Sequence, residues 1–240
     1  MYESVISELA PSGTLRAGIN MANIFLVTGE TSNGEPDGVS PNIARAIADK
    51  LGVRITYVPC ATPGGTAEAI KSQACDIAMI ADEPARAEFI SFSNAYVEIE
   101  ATYVVPEGSS FRIVKDVDKP GVRVAVSGTS AYDLYLTRTL QYAELCRAEG
   151  LPAAVNLYRE EKLDALAGLR PALNDNIMSL PGTRILDGRF MAVEQAIGTQ
   201  LKNSSATAFL QQFIEEAKAS GLIERLLCNH GVADKLHIAR

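Results

Sequence analysis

The stretch DGVSPNIARAIADKLGVRITYVP, residues 37–59, contains a whole helix, its start and stop signals, and the strand that follows. Ser40 reads as the N-cap, Pro41 as the first helical residue and Gly52 as the residue just past the end, each a type favoured at its place. Ile43, Ile47 and Leu51, beside Ala44 and Ala48, recur at helical spacing and make one apolar face. Immediately after Gly52 the pattern changes, and residues 53–58 read as a strand rich in β-branched and aromatic residues.

Working outward, residues 15–19 read as an earlier strand, separated from the helix by a polar loop at residues 30–37. Residues 66–72 give a second helix and residues 76–80 a third strand. Strand–helix–strand alternation with such short links implies a parallel sheet. The pattern then restarts. Residues 101–105 read as a strand leading into a turn at Pro106, Glu107 and Gly108, and residues 122–126 as another. Gly128-Thr129-Ser130 opens a helix with Tyr132, Leu136 and Leu140 on one face. A helix centred on Glu161 precedes a short strand at residues 164–168. After an extended segment at residues 196–199 comes an amphipathic helix with apolar positions Ala206, Phe209, Leu210, Phe213 and Ala217, closed by Gly221.

These elements make two α/β units. The last helix has no strand of its own to finish, so it is expected to return to the first unit. The expected division is lobe one at residues 1–101 and 194–240 and lobe two at residues 106–190, with hinge segments at about 101–106 and 190–199. A twin crossing is a hinge geometry, and clefts between lobes are where small ligands bind.

Composition excludes several classes. The 240 residues are 47% hydrophobic, enough to bury a core, and no apolar run reaches transmembrane length. A formal net charge of −7, with both signs mixed along the chain, argues against nucleic-acid binding. Residues 1–9 carry Glu3 and Glu8 and lack the basic and apolar regions of a signal peptide. Tyr2, Val5, Ile6 and Leu9 fall instead at helical spacing, as in a short amphipathic helix. Cys60, Cys75, Cys146 and Cys228 include no C-x-x-C, and no His stands at ligand spacing, so structural zinc is not expected. Cys60 and Cys75, flanking a crossover helix, are expected roughly 15 Å apart on opposite edges, too far for a disulfide. Four small buried thiols is the expectation. No nucleophile elbow, phosphate loop or dinucleotide fingerprint occurs, and His230 and His237 lie far down the chain from any serine or cysteine they could activate. No catalytic residue, metal or cofactor is expected.

Five fragments, in this order and spacing, resemble the bacterial extracellular solute-binding proteins of the polar amino-acid type. They are Asp37-Gly38-Val39-Ser40-Pro41 with its helix, Cys75-Asp76-Ile77-Ala78-Met79-Ile80, Glu83-Pro84-Ala85-Arg86-Ala87-Glu88, Phe92-Ser93-Asn94-Ala95-Tyr96, and Val126-Ser127-Gly128-Thr129-Ser130. The resemblance covers nearly the whole chain. It implies the two-lobed type II periplasmic binding fold, with two parallel-rich sheets flanked by helices. It further implies a monomer in the periplasm that closes around a small solute and hands it to the membrane permease of an ABC importer.

The resemblance also implies roles. Arg86 matches the arginine that grips the ligand's carboxylate, and Ser130, with Gly128 and Thr129, matches a helix N-terminus binding the same group. Asn23, Phe25 and Tyr132 stand where the family places ligand-shelf residues. The physics agrees: a planar guanidinium holds a carboxylate bidentately, and a helix N-terminus offers free N–H groups and a positive dipole end. Each position also has a plainer reading. Arg86 could pair locally with Glu88, Ser130 and Thr129 could simply cap a helix, and Phe25 and Tyr132 could be core. Glu83 could support the first turn of a short helix beginning near Pro84.

The departures from the family concern the ligand's other end. Met79, Ala81 and Glu83 stand where the family has serine or threonine, and its ammonium-binding aspartate falls near Leu169, with Arg170 next to it. Two hypotheses follow: Asp82 or Glu83 supplies the negative partner, or the ligand is a carboxylate without an ammonium group. Two other functional classes share the fold: a cyclohexadienyl or arogenate dehydratase, with Glu83 or Asp82 as general acid, and a ligand-sensing domain.

Overall fold

The computed structural model describes residues 2–240 and falls into two compact units, Met1–Glu98 with Glu194–Arg240, and Ile99–Val193. The first unit begins with helix α1 (Glu3–Leu9) and strand β1 (Thr14–Asn20). A two-stranded hairpin, β2 (Gly29–Glu30) and β3 (Pro36–Asp37), leads to helix α2 (Val39–Leu51) and strand β4 (Arg54–Cys60). Helix α3 (Pro63–Lys71), strand β5 (Ile77–Ala81), helix α4 (Pro84–Ala87) and strand β6 (Ile90–Phe92) follow. Strand β7 (Val97–Pro106) carries the chain into the second unit.

There, strand β8 (Arg123–Ser127), helix α5 (Ala131–Thr139), strand β9 (Glu144–Ala148) and helix α6 (Gly150–Glu160) alternate. Strand β10 (Ala165–Leu169), helix α7 (Arg170–Asn176) and strand β11 (Thr183–Ile185) complete the unit. Strand β12 (Met191–Gln200) returns the chain to the first unit, which ends with α8 (Ser204–Ala219), α9 (Leu222–Asn229) and β13 (His237–Ile238).

In the first unit the sheet order is β4–β1–β5–β12, with β1 parallel to both β4 and β5 and β12 antiparallel to β5. Helices α2 and α3 pack on β1, so the central strands are covered by helices and must be apolar throughout. All five residues of β5, Ile-Ala-Met-Ile-Ala, are buried. Asp76, just before β5, takes three hydrogen bonds from Arg16 of β1, through the backbone N–H and two guanidinium nitrogens, and pins the register of the pair. In the second unit the order is β7–β10–β8–β9, with β10, β8 and β9 parallel and β7 antiparallel to β10 and β11.

Several sequence expectations are corrected. Ser40 is not the N-cap of α2. The helix starts at Val39, and the cap is Gly38 at φ 148°, where a Cβ would meet the Leu26 carbonyl oxygen at 2.4 Å. Close approach of residues 26–28 therefore selects glycine, while Ser40 points inward and its Oγ lies 2.9 Å from the Tyr96 hydroxyl. Gly52 does end the helix, in the left-handed conformation. The polar loop at residues 30–37 holds part of a hairpin. Helix α6 is not centred on Glu161 but ends at Glu160, because its buried positions Ala154, Val155 and Tyr158 lie further back. Gly221 follows α8 as expected, and its left-handed backbone also starts α9.

The cysteines differ as well. All four are free, but only Cys75 is buried; Cys60 and Cys146 are half-buried and Cys228 is exposed. Cys60 ends β4 and Cys75 precedes β5, at opposite ends of strands that both run parallel to β1, and no disulfide joins them. Strands β4 and β5 both neighbour β1, so a single strand intervenes, and Cys60 packs against the apolar cluster that holds Cys75, Ile70 and Ile80. Burial pushes the Cys75 thiol up to about 12.

Candidate functional site

Open α/β sheets bind ligands beyond the carboxyl ends of their parallel strands, where loops and helix N-termini converge. The sequence-predicted site residues fall at such ends in each unit. In the first unit, Ala81 ends β5, and Asp82, Glu83 and Arg86 follow within one turn of chain. Asn23 and Phe25 come just after β1, the parallel neighbour of β5.

Glu83 is the N-cap of α4. Its Oε2 accepts the Ala85 N–H at 3.0 Å, and Pro84 fills the next position, so a buried carboxylate is fixed at the start of the helix. Arg86, at the far end of that single turn, is 3% exposed and donates from one guanidinium nitrogen to the Ala81 carbonyl oxygen at 2.8 Å. Burial pulls its pKa down to about 10, against the carboxylates of Glu83 and Asp82, which favour the charged form. Asp82 is anchored through its backbone, whose N–H donates to the Glu194 carbonyl at 2.9 Å, while its side chain is exposed. Desolvation by the surrounding protein, then the charge of Glu83, raise the Asp82 pKa.

Asn23 shapes its own loop: its side-chain oxygen accepts the Phe25 N–H at 3.3 Å, and its carbonyl accepts the N–H groups of Leu26 and Val27. Phe25 is buried, with the Lys235 ammonium 5.3 Å from the ring centre.

In the second unit, β8 leads into Gly128, Thr129 and Ser130, and the neighbouring parallel strand β10 leads into Arg170. Ser130 is the N-cap of α5: its Oγ accepts the Asp133 N–H at 3.0 Å and donates to the Ser127 carbonyl at 2.7 Å. The N–H groups of Ala131 and Tyr132, in the first turn, have no acceptor inside the helix. Thr129 is held at φ 61°, unusual for a β-branched residue, and its N–H donates to Asp133 Oδ2 at 2.9 Å. Tyr132 is buried, which raises its pKa against the hydroxyls of Ser130 and Ser127.

Arg170 opens α7. Its Nε donates to Glu100 Oε2 at 2.8 Å and a terminal nitrogen donates to the Gly188 carbonyl. Arg189 lies 3.7 Å from the other oxygen of Glu100. Sequence reading missed Glu100 and Asp133. Asp133 stands three residues after Ser130, the spacing of a reciprocal helix cap, and that signal could have found it. Glu100 is brought to Arg170 by the antiparallel β7–β10 pairing, which no local pattern announces.

Among the described residues no group of three or more His, Cys, Asp or Glu could hold a metal ion, and no helix is long and apolar enough to cross a membrane. The first unit thus carries the buried Arg86 at the carboxyl end of β5, and the second unit carries the capped N-terminus of α5 after β8. The chain belongs to the bacterial extracellular solute-binding proteins, family 3, whose sequence profile matches residues 19–231.

Solved structures agree on the fold. The chain is similar to the cysteine-binding protein of Campylobacter jejuni, with 16% identity, TM-score 0.78, and 98% of this chain and 99% of that one covered. It is similar to an amino acid ABC transporter substrate-binding protein of Streptococcus pneumoniae bound to L-arginine, with 18% identity, TM-score 0.75, and 95% and 98% covered. An ancestral amino acid-binding protein, described as a precursor of cyclohexadienyl dehydratase, matches with 21% identity, TM-score 0.73, and 93% and 98% covered. At these identities the likeness establishes the type II periplasmic binding fold. No curated protein matches the chain.

Proposed function

We propose that this protein is the substrate-binding component of an ABC-type importer and captures a small carboxylate-bearing solute, with Arg86 as the carboxylate's principal partner. The observation that carries the reading is the burial of Arg86 at the carboxyl end of β5, with its pKa drawn down to about 10. A guanidinium held where its charge is poorly solvated gains from an incoming anion, and perturbed groups of this kind cluster at functional sites. Ser130 and the first-turn N–H groups of α5 supply a second set of donors in the same proposal. Closure at the two strand crossings, delivery to a membrane permease, monomeric state and periplasmic location belong to it too, and rest on membership of the family.

The test is thermal stabilisation by a panel of L-amino acids and small mono- and dicarboxylates. Wild-type protein should gain stability with at least one of them, and Arg86→Lys should lose most of that gain, because an ammonium cannot reproduce bidentate geometry. An undiminished shift in Arg86→Lys would remove Arg86 from the site.

The dehydratase reading has one observation in its favour, the likeness to the ancestral dehydratase precursor. Incubation with prephenate or arogenate, followed by ultraviolet detection of phenylpyruvate or phenylalanine, separates the two. The binding-protein reading expects no turnover.

A further inference from the structure

We infer that His230 is a positioning residue for the solute site: its neutral imidazole, protonated at Nδ1, ties the loop of Asn23 and Phe25 to the start of α2, and a second proton on the ring breaks that tie. The role rests on the solute site proposed above, to which the loop belongs through its resemblance to the family's ligand shelf.

The backbone fixes where the ring stands. His230 follows α9, and its N–H donates to the Leu226 carbonyl at 3.1 Å. Val232 and Leu236, just beyond, are buried, and His237 and Ile238 pair with Glu98 and Val97 of β7. The His230 side chain is 13% exposed, and each ring nitrogen meets a different segment. Nδ1 lies 3.0 Å from Oγ1 of Thr28, the residue after the turn in which the Asn23 carbonyl accepts from Leu26 and Val27. Nε2 lies 3.0 Å from Asn42 Nδ2, in the first turn of α2. Those two segments also touch directly: Thr28 N–H donates to the Asp37 carbonyl at 2.9 Å, and Ser40 N–H to the Leu26 carbonyl at 3.0 Å.

The surroundings select one tautomer. Asn42 Nδ2 also lies 2.7 Å from Asp37 Oδ1 and 2.8 Å from the Gly38 carbonyl oxygen. Both are acceptors, so the amide presents its nitrogen here and not its oxygen. Nε2 then meets a donor and is the bare nitrogen, which leaves the proton on Nδ1, donating to Thr28 Oγ1.

A second proton, placed on Nε2, points at the Asn42 amide N–H groups and not at an acceptor. The charged group facing it is Asp37, whose Oδ1 lies 4.0 Å away and already accepts from Asn42 and from Gly38 N–H. Residues 20–28 contribute no titratable side chain, Arg45 of α2 is paired with Glu35 at 3.0 Å, and Lys235 of the C-terminal segment lies over Phe25. Attraction between imidazolium and carboxylate therefore draws Asp37 off Gly38 and Asn42. The start of α2 and the loop bonded to it then lose their shared anchor.

The experiment compares wild type with His230→Gln, whose amide offers a donor and an acceptor without titrating. Nitrogen NMR of the two histidines at about pH 8 should show His230, identified by its loss in the variant, with its proton on Nδ1. Hydrogen exchange at the Leu26, Val27 and Thr28 amides, corrected for its intrinsic pH dependence, should show about tenfold less protection at about pH 5 than at about pH 8. His230→Gln should show no such difference. Affinity is read by isothermal titration with the L-amino acid or small carboxylate that stabilises wild type most. It should fall about tenfold over the same interval in wild type, and by less than about twofold in the variant. A proton on Nε2 at about pH 8, equal protection at the two pH values, or an undiminished pH dependence in His230→Gln overturns the inference. The carboxylate reading, tested through Arg86→Lys, stands in each of those cases. If the amides respond and affinity does not, the loop lies outside the solute site and the role fails with that placement. If no amino acid or carboxylate binds, both fail.

Discussion

Asp133 Oδ2 accepts the backbone N–H of Thr129 at 2.9 Å, so the N-terminus of α5 carries a carboxylate from its own first turn. The other oxygen accepts Arg147 Nε at 2.9 Å, and the Asp133 N–H returns to Ser130 Oγ. One buried residue thereby ties together the left-handed Thr129 and strand β9 through its side chain, and the cap of α5 through its backbone N–H. Replacing it with alanine should lower stability by about 2 kcal/mol, since charge-assisted bonds to buried groups are worth that scale. Asp133→Asn keeps the shape and one acceptor, and should lose roughly half as much. Urea denaturation of the three proteins checks the order.

Arg86 and Glu83 form a coupled buried unit as well. Arg86→Ala leaves the 1%-exposed Glu83 without the guanidinium charge beside it and should cost about 3 kcal/mol. Adding Glu83→Gln removes the stranded charge, so the double variant should be more stable than Arg86→Ala alone. The sign of that coupling, read from a double-mutant cycle in urea, is the measurement.

Gly38 should tolerate no side chain. Its φ of 148° and the 2.4 Å approach to the Leu26 carbonyl mean that Gly38→Ala must shift backbone. A loss of about 3 kcal/mol or more, or failure to accumulate as soluble protein, is expected. Gly52→Ala, with open space around its Cβ, should lose only about 1 kcal/mol. Comparing the two by urea midpoint separates crowding from backbone preference.

Cys75 predicts an alkaline response. Its folded pKa of about 12 exceeds the thiol's ordinary value of 9.0, so above pH 9 the unfolded chain loses a proton that the folded chain keeps. Stability should therefore be unaffected by this group below pH 9 and fall as pH rises from 9 towards 12, by up to about 1.4 kcal/mol per unit. Cys75→Ala should flatten that part of the curve. At pH 8 iodoacetamide should modify Cys228, which is exposed, well before Cys75.

How far these features were legible differs by element. Helix α2 was plain because Gly52 and the Ile43, Ile47, Leu51 stripe are local signals of a 3.6-residue period. Its first residue was misread because Ser40 is a favoured cap type, and a contact with Tyr96, 56 residues away, overrides that preference. The short strands β6, β11 and β13 went unread, since two or three residues carry no period and gain their identity from the partner strand. Candidate site residues came as a set because they follow strand ends that the sequence marks. The partner of each side chain did not.

By itself the sequence determined the alternation of strands and helices, the parallel pairing this implies, the family, and the placing of Arg86 and Ser130 after strands. Those follow from spacing along one chain, where each signal lies within a few residues of its effect. Only the tertiary structure decided that Glu100 is held by Arg170, that Asp133 occupies the start of α5, that Cys60 packs beside the cluster of Cys75, and that His230 meets Thr28 and Asn42. Register between strands and the burial of particular charges depend on which distant segments meet, and electrostatic strength depends on that burial. The residues capable of binding a carboxylate could therefore be read from the chain, whereas the contacts that hold the loops around them were set by the fold.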